Sequence, residues 1–172
     1  MKKSTFYLVK SALIGAFYAV LTVVSTLIVP YLTFGPIQLR LSEALVVLPL
    51  FTPAAVPGLF VGCVISNAVG VALGANIAGV WDILIGSAAT LLAALFTRWL
   101  RNIKFKGMPL LALLPPVIFN ALIVGFELSF FLPELSYLIG FLQVGVSELI
   151  VVYALGLPLY FAIKKSGLDK RL

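Results

Sequence analysis

Apolar residues in this chain fall into long blocks rather than strict alternation or narrow stripes. The blocks cover about 8–30, 43–52, 56–74, 80–99, 109–131 and 136–163. Breakers separate them: Pro30, the Gly35-Pro36 turn, the prolines of PLFTPAAVP (49–57), GANIAG (74–79), RWLRNIKFKG (98–107) and Pro133-Glu134. A bilayer-spanning helix needs about 20 mostly apolar residues. The pattern therefore predicts an all-α membrane protein, a bundle of six transmembrane helices forming one domain over 1–172. Ser42 is a plausible N-cap for the second block. That block is short, and three prolines follow it, so a regular span and a broken one both remain open there.

Composition agrees. Of 172 residues, 62% are apolar and 10% charged, and mean hydropathy is +1.18. A soluble domain carries about a quarter charged residues. The start, MKKSTFYLVK, looks like a signal-peptide head. The apolar run that follows, from Ser11 to Val29, is too long for a signal core and lacks a small-x-small site, so a retained first helix is expected.

Charge then fixes sidedness. With six spans, eleven of the twelve lysines and arginines fall on one side: Lys2, Lys3, Lys10, Arg98, Arg101, Lys104, Lys106, Lys164, Lys165, Lys170 and Arg171. The positive-inside bias assigns that side, and both termini, to the cytoplasm. The net charge of +6 thus reports topology rather than nucleic-acid binding. Arg40 is the exception and falls on the outer half. So do five carboxylates: Glu43, Asp82 and Glu127 near outer helix ends, Glu134 in an outer turn, and Glu148 about mid-membrane.

An ionisable group in a span costs about 2.5–3.5 kcal/mol on insertion scales, and it usually faces the bundle interior on a functional path. Polar groups accompany these carboxylates. Asn120 and Glu127 share a helix face, Gln143 and Ser147 are four apart beside Glu148, Asn67 lies in a glycine-rich helix, and Trp81 adjoins Asp82. Apolar walls with a few convergent polar groups are the makeup of a small-ligand site. Trp81 could equally belong to an interfacial aromatic belt. The excess of carboxylate disfavours polyanions. It favours a cation or a molecule rich in N–H donors.

Enzyme chemistry is not expected. The chain has no histidine and one cysteine, Cys63, so neither a zinc site nor an internal disulfide is available. No serine-hydrolase elbow, zinc-protease motif or phosphate loop occurs, and no cofactor is called for. Uphill transport would need an ion gradient or an ATP-hydrolysing partner. Most ion-coupled carriers are larger and repeat internally. A stripe of small residues on the first helix, Ala12, Gly15, Ala16 and Ala19, offers a close-packing face to such a partner or to a neighbouring helix.

Together these features resemble the substrate-binding S component of an energy-coupling factor (ECF) transporter. The stretches GPIQLRLSEALVVLP (35–49), GLFVGCVISN (58–67) and DILIGSAATLLAAL (82–95) resemble the QueT family, proposed importers of queuosine precursors. The resemblance implies a six-helix, multi-pass protein of the plasma membrane. Its outward ligand site would be capped by the loop between helices one and two. An Ala-x-x-x-Ala element, here Ala12 and Ala16, would dock on a transmembrane coupling protein served by two cytoplasmic ATPases. The implied ligand is a deazaguanine-type base, 7-aminomethyl-7-deazaguanine (preQ1) or a relative, whose guanine edge and ammonium suit carboxylates. The expected binding residues are Gln38, Arg40, Glu43, Asn67, Trp81, Asp82, Asn120, Glu127, Gln143 and Glu148. Arg40 either pairs with Glu43 to hold the loop or, like Gln38, donates to a ligand carbonyl. Alternatives are an S component for another cationic or heterocyclic vitamin such as thiamine, and a self-sufficient carrier.

Overall fold

The computed structural model describes residues 3–170; Lys2 and Arg171 lie outside the described residues. Five apolar helical segments are long enough to cross a membrane: Lys3–Ile28, Ala55–Ala72, Val80–Asn102, Leu111–Phe131 and Tyr137–Lys165. A sixth, shorter apolar segment is Leu41–Leu50. The six-helix bundle expected from the hydrophobic blocks is the observed architecture.

Helix α1 (Lys3–Ile28) continues into a short α2 (Pro30–Phe34), and the next long helix is α3 (Ala55–Ala72). These helices run in the same direction. Gly15 meets Gly58 and Gly62, and the Phe34 ring lies against Gly70. The approach is backbone to backbone, and a Cβ on Gly62 would stand 2.7 Å from the Gly15 carbonyl oxygen. In lipid, such small-residue contacts let dispersion and packing hold helices together.

Because α1 and α3 are parallel, the chain between them must return through the bundle. It does so as a broken crossing. Leu41–Leu50 is a 3₁₀ helix, which at about 2.0 Å per residue covers roughly 20 Å, short of the ~30 Å hydrocarbon core. It starts at mid-depth, where the hydroxyls of Ser42 and Thr22 are hydrogen-bonded at 2.7 Å. It ends at the basic end of the bundle, where Arg98 Nη1 donates to the Pro49 carbonyl at 3.1 Å. The outer part of the crossing is the irregular loop 35–40. Ser42 is consequently not an N-cap: Arg40 occupies that position, without a capping side chain. Glu43 is likewise carried from the expected outer end to mid-depth.

The antiparallel partner of α3 is α4 (Val80–Trp99). The segment Leu111–Phe131 consists of α5 (Leu114–Phe119), a π-turn at Asn120–Val124 and α6 (Gly125–Phe131). Pro115 and Pro116 sit in the first turn of α5, where a backbone N–H would have no helical acceptor. The last segment joins α7 (Tyr137–Val151) to α8 (Leu157–Lys165) through a π-turn at Val152–Gly156. Pro158 has no N–H for the carbonyl four residues back, and the wider turn just before it absorbs that loss. Ser136 caps α7, accepting from the Ile139 N–H.

Arg101, Lys104 and Lys164 surround a cleft with Asp169 beside Leu50, Phe51 and Tyr160. Tyr7 of α1 reaches the Pro53 carbonyl at the same end. The basic segments therefore gather at one end of the bundle, as the charge pattern requires. The polar residues of interest lie between mid-depth and the other end.

Candidate functional site

Loop 35–40 enters the bundle because its backbone finds partners there. The Leu39 N–H donates to the Leu32 carbonyl at 2.6 Å. The Gln38 N–H donates to Ser147 Oγ at 3.1 Å. Irregular backbone at membrane depth is tolerated only where protein or a polar cavity satisfies it. Such broken segments line the ligand sites of many transporters.

Arg40 is the hub of the site. It is 5% exposed. Its Nε donates to the Thr33 carbonyl at 2.7 Å, Nη1 to Asn67 Oδ1 at 3.5 Å, and Nη2 to Asp82 Oδ2 at 3.5 Å. The guanidinium lies over the Phe34 ring, 4.7 Å from its centroid. The expected alternative of a pair with Glu43 is corrected. Arg40 is extended, with ψ 118°, and the 3₁₀ turn that follows directs Glu43 toward α1.

Two groups of acids flank this hub. In the inner group Glu43 accepts a hydrogen bond from the Tyr18 hydroxyl. Glu148 of α7 faces both Glu43 and Asn120. In the outer group Asp82 accepts from Asn76 Nδ2 at 2.8 Å, and its backbone carbonyl accepts from Asn67 Nδ2 at 2.7 Å. Glu127 of α6 stands beside Asp82. All four carboxylic residues are at most 3% exposed. Among the described residues, no N–H or hydroxyl donor reaches Glu43 Oε2, Asp82 Oδ1, Glu148 Oε1 or either oxygen of Glu127, and the carboxyl groups face one another in two pairs, Glu43 with Glu148 and Asp82 with Glu127. Four carboxyl groups against one guanidinium leave a formal charge of −3 if all are ionised. Buried charge without a counter-charge is costly. The arrangement is therefore built to receive positive charge or hydrogen-bond donors.

Eight of the ten expected binding residues come together here: Gln38, Arg40, Glu43, Asn67, Asp82, Asn120, Glu127 and Glu148. The other two lie at the edges. Trp81 is 56% exposed and lines a groove between α4 and α6. Gln143 is half-buried in a groove with Ile37 and Leu39, its Oε1 unpartnered. Tyr18, Thr22, Phe34 and Asn76 also belong to the cluster, and none was singled out from the sequence.

The small-residue stripe of α1 divides in two. Gly15 and Ala19 are buried, with Gly15 against α3, while Ala12 and Ala16 are exposed. The exposed pair lines a groove of about 430 Å³ with Tyr7, Leu8, Pro57 and Val61.

The family model described as QueT transporter matches residues 8–165, nearly the whole chain. The chain belongs to the QueT transporter family. No curated protein and no solved structure matches it. This QueT-family protein is thus a multi-pass membrane protein of a transporter family. Its polar centre is assembled from all six apolar segments.

Proposed function

We propose that this QueT-family protein is the substrate-binding S component of an ECF-type importer in the plasma membrane. Its ligand is a queuosine precursor, preQ1 or a close relative, taken from the outside. The observation that carries this reading is the buried centre, with four carboxyl groups around one arginine and five of their oxygens reached by no N–H or hydroxyl donor among the described residues. A guanine edge presents adjacent N–H donors that match a carboxylate. An aminomethyl group brings a positive charge to a site short of one. Asn67 and Asn120 add both donors and acceptors. Charge-assisted bonds to such groups contribute about 1.5–3 kcal/mol each.

Loop 35–40 lies over the polar centre on the side away from the basic end. Ligand entry proceeds by movement of this loop, and its return buries the ligand. The exposed Ala12 and Ala16 groove then docks on the coupling protein, where close helix approach needs small side chains. Two cytoplasmic ATPases drive release.

Calorimetric titration of the purified protein with preQ1, guanine and thiamine tests the ligand. Tight binding of preQ1, with guanine at least tenfold weaker, is expected. Tight thiamine binding would instead favour a component for another vitamin. Transport of preQ1 by the purified protein alone in liposomes would refute the ECF arrangement. For docking, Ala16→Trp should abolish uptake in cells carrying the coupling module while sparing binding. Undiminished uptake would place the docking face elsewhere.

A further inference from the structure

At the basic end of the bundle, three separate parts of the chain build a cleft of about 250 Å³ whose surface is mainly polar. Leu50 and Phe51 come from the inner end of the broken crossing. Arg101 and Lys104 follow α4, and Tyr160 and Lys164 belong to α8, with Asp169 beyond it. Apolar rings back the cleft. The Phe51 and Tyr160 centroids are 5.2 Å apart, and Lys164 Nζ stands 5.4 Å from the Tyr160 centroid. Arg101 Nη1 donates to the Arg98 carbonyl at 3.1 Å. Three cations and one carboxylate give the cleft a formal charge of +2. Among the described residues the only ion pair is Arg40–Asp82, so Arg101, Lys104 and Lys164 have no carboxylate partner there.

The cleft sits at headgroup level. Trp99 and Phe105 are exposed at the same end, and exposed aromatic residues of a membrane protein mark the bilayer interface. Basic pockets between spans on the cytoplasmic side suit anionic headgroups. We propose that this cleft binds an anionic phospholipid of the cytoplasmic leaflet. The lipid phosphate lies among Arg101, Lys104 and Lys164, and the glycerol backbone packs on Leu50 and Phe51. Arginine can grip two phosphate oxygens at once, and lysine adds a point charge. A zwitterionic lipid would bring its ammonium beside three cations, which disfavours it. Free phosphate gains the same charge contacts but covers no apolar surface. The bound lipid ties the inner end of the broken crossing to the last helix. None of its contacts belongs to the polar centre, so the site stands whatever ligand that centre takes.

The test titrates delipidated protein in non-ionic detergent with dihexanoyl phosphatidylglycerol, read by native mass spectrometry. Dihexanoyl phosphatidylcholine is the zwitterionic control. Phosphatidylglycerol should bind at least tenfold more tightly than phosphatidylcholine. The triple variant Arg101→Gln/Lys104→Gln/Lys164→Gln should lose at least tenfold in phosphatidylglycerol affinity. All three side chains are exposed, so the variant keeps the bundle. A second triple variant, Lys3→Gln/Lys106→Gln/Lys165→Gln, removes the same charge from the same end outside the cleft. It should stay within threefold of the unsubstituted protein. Lys164→Met, which keeps the stem over the Tyr160 ring, should weaken phosphatidylglycerol at least threefold by itself. Equal affinity for the two lipids, or equal losses in the two triple variants, overturns the site, because the attraction then belongs to the whole basic face. Displacement of bound phosphatidylglycerol by millimolar inorganic phosphate would make the ligand a free anion and overturn the lipid assignment.

Discussion

Removing Arg40 should be the most damaging single change in the polar centre. Arg40→Met keeps the apolar stem over Phe34 and removes three donor contacts, to Thr33, Asn67 and Asp82. It also leaves Asp82, Glu127 and Glu43 without their one nearby cation. Breaking a buried pair by removing one partner costs about 3–5 kcal/mol. At about 2–4 °C per kcal/mol for a chain of this size, the melting temperature should fall by roughly 6–20 °C. The lower half of that range applies here, because spans keep much of their helix in detergent. Cys63 supplies the assay. It is the one cysteine and is fully buried, so a thiol-reactive dye reports unfolding. The double variant Arg40→Met/Asp82→Asn should recover at least a third of the loss, since it removes the carboxylate that the first change stranded. Strict additivity of the two changes, or a shift under 2 °C for Arg40→Met, would refute Arg40 as the counter-charge of the centre.

Tyr18→Phe removes the donor to Glu43 and leaves that carboxyl group buried with one partner fewer. A loss of about 1–3 kcal/mol is expected in the same dye assay, and an unchanged melting temperature would show the hydroxyl to be dispensable. Gly62→Val places a branched side chain where even a Cβ stands 2.7 Å from the Gly15 carbonyl oxygen and 2.8 Å from Tyr18 Cβ. Overpacking costs typically 1–3 kcal/mol. Here backbone must move and displace Tyr18 with it, so preQ1 affinity should fall along with stability. A stable Gly62→Val protein with full affinity would contradict the α1–α3 geometry.

The long spans were legible because blocks of about 20 apolar residues end at proline, glycine or clustered charge, and lipid leaves few alternatives to a helix. Val80–Trp99 coincides with its expected limits. The 41–50 segment was not legible as 3₁₀, because its apolar composition suits either helix and tertiary contacts decide. Arg40 and Glu43, three apart, read as either a pair holding the loop or separate ligand contacts; the helix begins only after Arg40, so their side chains diverge. The carboxylates stood out because charge in a span is rare. The hydroxyl face of α1 did not. Thr22 and Thr26 donate to their own helix's carbonyls at Tyr18 and Thr22, which makes such residues cheap in lipid and quiet in hydropathy. Their spacing of four from Tyr18 was the available signal. For the small residues of α1, the sequence could not say which faced α3 and which faced outward.

The loop that covers the centre must be held well enough to exist inside the membrane and loosely enough to open. Its hold on α7 is a single bond, Gln38 N–H to Ser147 Oγ, while Ser147 itself donates to the Gln143 carbonyl at 2.6 Å. Ser147→Ala strands a buried N–H, worth about 1–3 kcal/mol. If that cost falls on the closed loop alone, the open population rises by roughly five- to hundredfold, at 1.4 kcal/mol per tenfold. Amide hydrogen exchange at residues 37–40 should accelerate by that factor while the α4 core amides keep their rates, as expected for a local opening. Ser147→Thr, which keeps the acceptor, should restore protection. Acceleration spread evenly over all helices would mean that Ser147 supports the whole bundle. Unchanged exchange at residues 37–40 would mean that the loop is held by Arg40 and the Leu39–Leu32 bond instead, and that opening must begin by breaking the Arg40–Asp82 pair.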